Sequence, residues 1–247
     1  MKTRAFTLNE LLTVIAILAV LAALILASLS SAKGQATATA CRNNLDQIAK
    51  AMAVYTADFS EYPGTRASPI YPPRNLDAQW EQIWDHRLLP YVLGNRTVFS
   101  CPADMTPPGW PPYPPTNSFL TNYTYGYNAY GTGVQSSTLN LGLGRAQPPE
   151  SDFSLPILEV TESQVRAPSD MIAIGDLNDL ADVFGTTIWP ISFPPYAGGP
   201  AARHNGGANM LFCDDHTEFT KQKNWVEETD TARRRWNNDH EPHPETW

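Results

Sequence analysis

The chain has 247 residues, a formal charge of −8, 42 % hydrophobic residues and 22 prolines. That length supports one sizeable domain plus an added element, and the acidic balance argues against a surface built for nucleic acid or anionic lipid headgroups. The one basic cluster, Arg233-Arg234-Arg235, is flanked by acids and reads as a solvated helix face. Proline removes a donor and breaks helix interiors; the first is Pro63, so continuous helix is expected before it, and loops with short strands after it.

In chain order, Lys2 and Arg4 precede an uncharged run of 19 residues from Leu11 to Leu29. This is close to the roughly 20 residues that cross a bilayer as a helix, and the positive-inside rule places the start of the chain in the cytoplasm. Beyond the run, Leu45, Ile48, Met52, Tyr55 and Phe59 recur at spacings of three and four, an amphipathic stripe. The spacing predicts one helix from about Phe6 to about Phe59, roughly 80 Å long. A cleaved signal peptide would have a shorter core and a small-residue site; Ala36–Ala40 (ATATA) is the stretch nearest to one. A plain uncleaved anchor is a further alternative. Glu10 sits at the mouth of the apolar run, where an isolated carboxylate costs about 2.5–3.5 kcal/mol, so it needs a partner.

Further on, Trp80–Leu93 reads as a short helix ended or bent by Pro90, and Val98–Phe99 as a brief buried stretch. Pro102–Asn117 is too proline-rich for helix or central strand. Thr121–Tyr130 is aromatic and β-prone, Gly131–Ser154 a variable insertion, and Met171–Gly175 a core strand. Ala208–Phe212 and His216–Lys221 flank an Asp214-Asp215 turn and read as a hairpin. From Asn224 the chain is polar, expected to be helical through Arg235 and disordered at its end.

The stretch Ala5-Phe6-Thr7-Leu8-Asn9-Glu10 resembles the cleavage site of type IV prepilins and type II secretion pseudopilins. The resemblance implies a leader at 1–5, cut between Ala5 and Phe6 by a membrane prepilin peptidase that also N-methylates Phe6. It implies that Glu10 pairs with the Phe6 amine of a neighbouring subunit and sets the axial register. Ala5 stands where the family usually has Gly, and Ala27 where it often has a Pro. Cys41–Gly64, Leu88–Asp104, Tyr125–Asn128, Val165–Asp176 and Arg203–Phe219 resemble, in order, the pilin-like subgroup with a C-terminal H-x9-DG motif. Here Asp215 replaces the Gly of that motif.

The fold so implied is α+β and pilin-like: a long N-terminal helix (6–59, membrane part about 11–29), a head at 60–223 built on a small antiparallel sheet, and a polar tail at 224–247. The implied function is a subunit of a type IV pilus-like or type II secretion pseudopilus filament. It would stand in the bacterial inner membrane with its N-terminus cytoplasmic and its head periplasmic, and then enter an extracytoplasmic filament. Its partners would be the peptidase and other pilin or pseudopilin subunits, with no nucleic acid. The alternative is an uncleaved, membrane-anchored surface or carbohydrate-binding module, with Trp110 and Tyr113 among the stacking candidates.

Three cysteines, Cys41, Cys101 and Cys213, leave at least one outside any intramolecular bridge. Because relatives often carry Cys in the blocks of Cys41 and Cys101, the resemblance implies a bridge between those two; buried free thiols are the alternative. His204, Asp214, Asp215 and His216 contain zinc-type donors, but a hairpin supplies that spacing without an ion, and a histidine bonded across the turn to Asp214 is the simpler reading. Some related pseudopilins bind calcium in a carboxylate loop, for which Asp176, Asp179 and Asp182 are the candidates here. No cofactor is expected, with calcium as the alternative. There is no G-x-S-x-G, H-E-x-x-H or phosphate-binding glycine loop, so no enzyme is expected; a hydrolase using His204 and Asp214 is the enzymatic alternative.

Overall fold

A computed structural model describes residues 7–64, 84–103, 124–133, 141–144, 159–178, 188, 190 and 198–246. Helix α1 spans Leu8–Phe59, 52 residues without a break, roughly 78 Å at 1.5 Å per residue. It starts at Thr7, whose hydroxyl accepts from the Glu10 amide, and ends at Ser60, a left-handed cap (φ 59°) that donates to Thr56 O. Leu8–Leu26 is the one stretch among the described residues long and apolar enough to cross a bilayer, and none of it is buried. In the second half, Cys41, Leu45, Ile48, Met52 and Tyr55 are buried in one core cluster. Their spacing of four, three, four and three residues keeps them on one face, and each buried side chain of this size contributes about 1.5–3 kcal/mol.

The head holds a four-stranded antiparallel sheet in sequential order. Its strands are β1 (Tyr125–Tyr127), β2 (Ile172–Asp176), β3 (Gly207–Phe212) and β4 (Thr217–Lys221). The first three are buried throughout, and β4 is the half-exposed edge. A short helix α2 (Trp84–Leu88) runs into a 3-10 turn at Leu89–Val92 with Pro90 in its first turn. Trp84 is fully buried and stacks on Tyr127 with centroids 5.7 Å apart. Val98 and Phe99 are buried, in a 3-10 turn rather than a strand.

Two clusters of buried side chains sit on the sheet. One holds the α1 stripe with Tyr125, Tyr127, Ile174 and Leu211. The other holds Ile172, Ala208, Met210 and Phe212 with Trp225 and Trp236. Alternation along β3 produces the split. In β2 a register shift falls between Ile172 and Ile174; such a bulge turns one strand relative to its partner, so two residues of equal parity join different clusters.

The C-terminal segment differs from the expected polar tail. Trp225 and Trp236 are core residues. Trp225 Nε1 donates to Ala208 O (3.1 Å) and Trp236 Nε1 to Trp225 O (3.0 Å). Arg233, expected in a solvated face, is buried and donates to Pro190 O (2.8 Å), while Arg235 bonds Asp170 and Glu218, each at 2.7 Å. Isolated tryptophans in a polar stretch have no periodicity to give them away, and the arginines satisfy carbonyls and acids that the fold supplies. The end is ordered in part by His243, which bonds Asp239 and Glu245.

Candidate functional site

Two places carry chemistry. The first is the start of α1. Glu10 Oε2 accepts from Thr7 N (2.9 Å) and Thr7 Oγ1 (2.7 Å), while Thr7 Oγ1 accepts from Glu10 N (3.3 Å). This reciprocal capping box satisfies donors that a helix leaves open at its first turn, and it aims the carboxylate back towards the chain start. The favourable helix dipole adds to it. The acid therefore has a partner within its own chain. Ala5 and Phe6 lie outside the described residues.

The second place is a buried cluster between α1 and the sheet. A disulfide joins Cys41 of α1 to Cys101, with Cα atoms 5.0 Å apart. The surrounding bonds stitch helix to head. Tyr125 OH donates to Cys41 O (3.1 Å), Asn44 Nδ2 to Ser100 O (2.9 Å), and Cys101 N to Thr124 Oγ1. Arg203 Nη1 donates to Thr124 O at 3.1 Å.

His204 reaches this cluster because of a tight turn. The backbones of His204 and Gly207 bond each other in both directions (3.2 and 3.0 Å), and between them Asn205 and Gly206 have φ of 50° and 72°. Two positive φ values are what a type I′ turn demands, and Asn-Gly is the pair that supplies them. A side chain on Gly207 would collide with the Thr220 carbonyl, so glycine is needed there as well. His204 Nε2 lies 3.4 Å from Cys101 Sγ and 3.5 Å from Asp176 Oδ2. Asp176 ends β2; its Oδ2 accepts from Asn209 N (2.7 Å) and Asn209 Nδ2 (2.9 Å), and its Oδ1 is buried without a partner. Burial pushes the Asp176 carboxyl up, against the Asn209 donors, His204 and Arg203, which pull it down.

A nucleophilic relay needs its acid and its nucleophile on opposite ring nitrogens. Here one nitrogen faces both, and the sulfur is already bonded. The cluster is therefore not arranged as a Cys-His-Asp triad.

The other sequence candidates lie elsewhere. Asp214 and His216 are beyond the far end of β3 from His204, and six strand residues between them span roughly 20 Å. His216 Nδ1 contacts Asp214 Oδ1 across the turn, and its ring stacks on Phe212 at 4.4 Å. His204, Asp214 and His216 are thus not one metal site. Asp215 has φ 73° in that turn, the left-handed region that suits Gly and that Asp tolerates better than most residues. Asp176 is the cluster residue described above; Asp179, Asp182, Trp110 and Tyr113 lie outside the described residues. Cys213 is the free cysteine; burial pushes its thiol up and favours the protonated form, while a hydrogen bond with Tyr62 pulls it the other way.

Sequence reasoning did not connect His204 with the cysteines. The local signal was the His-Asn-Gly-Gly turn, which fixes where the imidazole goes; the partners come from strand pairing, which no short motif encodes. Compared with protein-family profiles, curated proteins and solved structures, the chain matches none.

Proposed function

We propose that this chain is a pilin-like subunit that assembles into a membrane-rooted filament through its N-terminal helix, after a prepilin-type peptidase removes residues 1–5. The observation that carries the reading is α1 itself. One unbroken helix leaves its apolar stretch Leu8–Leu26 uncovered and buries a stripe of its second half in the head. Bare apolar surface of that length is stable only in lipid or against other such helices. The FTLNE sequence at its start supports packing against copies, since the motif resembles one that is cut and assembled.

The capping box refines the role of Glu10. In the single chain it secures the first turn and keeps the carboxylate aimed at the chain start. In a filament that carboxylate is placed for the amine that cleavage creates on a neighbour's Phe6, a register contact rather than a source of net stability. The test is mass spectrometry of protein recovered from a host with a working peptidase. A mature chain starting at methylated Phe6 is expected. An intact Met1 would overturn the proposal and leave a tethered module.

A further inference from the structure

Cys41 Sγ, Cys101 Sγ and a nitrogen of His204 all lie within 4.8 Å of one another, and all three residues are buried. Zinc in tetrahedral coordination, with bonds of about 2.0–2.2 Å to N and O and about 2.3 Å to S, sets N-to-S and N-to-O edges of roughly 3.5 Å. His204 Nε2 is 3.4 Å from Cys101 Sγ and 3.5 Å from Asp176 Oδ2. The imidazole nitrogen is therefore already spaced from one sulfur and from one carboxylate oxygen as two edges of such a shell. The two sulfurs are closer than a tetrahedron allows, because they are bonded to each other. Asp176 Oδ1 adds an independent sign: a buried carboxylate oxygen without a partner is an uncompensated cost in a folded protein. Two cysteines, a histidine and a carboxylate form a donor set suited to zinc.

We propose that this cluster has a second state in which, once reduced, it holds a zinc-type divalent ion. Cys41, Cys101 and His204 Nε2 are the ligands, and the Asp176 carboxylate completes the shell. The disulfide and the ion are alternative occupants of one place. A dithiol reductant supplies two electrons to the bridge and becomes a cyclic disulfide; its two protons pass to the sulfurs of Cys41 and Cys101. The ion then takes both sulfurs as thiolates, and the two protons leave to solvent, with no change in the metal's oxidation state. Either occupant ties α1 to the head at the same point. The inference does not depend on filament assembly, and its test reads metal rather than processing.

The full chain in detergent, reduced anaerobically with excess dithiol and desalted, is titrated with cobalt(II). One ion per chain is expected, with thiolate-to-cobalt charge-transfer absorption and tetrahedral d–d bands; oxidised protein takes up none. Asp176→Asn, which replaces the charged oxygen ligand by a neutral amide, should weaken binding by at least about 10-fold, no less than the loss of an outer-shell partner. His204→Ala should weaken it further, and His204→Cys should restore it with a stronger charge-transfer band. Absence of stoichiometric cobalt on reduced chain that keeps its near-ultraviolet dichroism would overturn the proposal. So would equal binding by His204→Ala, or a reduced chain that loses its dichroism and does not regain it when zinc is added.

Discussion

Breaking the Cys41–Cys101 bridge should cost the head a measurable share of its stability. The bridge closes a loop with a sequence separation of 60 residues. Removing such a constraint from the unfolded chain is worth about 4 kcal/mol in the chain-entropy relation, which grows with the logarithm of loop length. For a domain of 150–250 residues each kcal/mol moves Tm by about 2–4 °C, so a drop of about 8–16 °C is expected. The comparison is oxidised wild type against Cys41→Ala/Cys101→Ala, both in detergent with a chelator present. The readout is tryptophan fluorescence, because Trp84, Trp225 and Trp236 are buried in the head, whereas the apolar half of α1 stays helical in a micelle and would mask the transition in a helix signal. A loss below about 2 °C would refute the reasoning, by showing that side-chain packing alone holds α1 to the sheet and that the unfolded chain gains little from release.

Other expectations test separate parts of the structure. Trp236→Ala should destabilise the head by about 3–5 kcal/mol, measured by urea unfolding; an effect below about 1 kcal/mol would return the C-terminal segment to the status of a tail. Glu10→Gln keeps a capping box, since glutamine serves at that position, but removes the charge. It should insert normally and fail to form filaments, visible by electron microscopy, and normal filaments would reduce Glu10 to a helix cap. Asp176 has a carboxyl pushed up by burial, so between its unfolded value and its raised folded value the folded state binds more protons. Stability should fall as pH rises through that window. Asp176→Asn should flatten the slope in unfolding titrations across acidic pH, and an unchanged slope would count against burial as the cause.

The parts legible from sequence were those with a local physical signature. Absence of proline before Pro63 and the stripe from Leu45 to Phe59 predict a long amphipathic helix; α1 ends at Phe59, and the buried face stops at Tyr55, Phe59 itself being exposed. The paired apolar and polar runs around Asp214-Asp215 predict a hairpin, present as β3 and β4. The rest needed tertiary information. The bulge that sends Ile172 and Ile174 into different clusters leaves no mark on an apolar pentapeptide. His204, Asp176 and Cys101 meet only because β2 pairs with β3 and the Asn205-Gly206 turn folds the chain back. Trp225 and Trp236 show that a segment of polar composition can supply the core of one sheet face with two residues.

The placement of the bridge at Cys41 has a mechanical consequence. Axial pull on the apolar end of α1 travels along a continuous rod of backbone hydrogen bonds and enters the sheet domain through a covalent strut. Side-chain packing between residues 45 and 55 is thereby shielded from shear, and a twist of the rod turns the sheet domain with it as one piece.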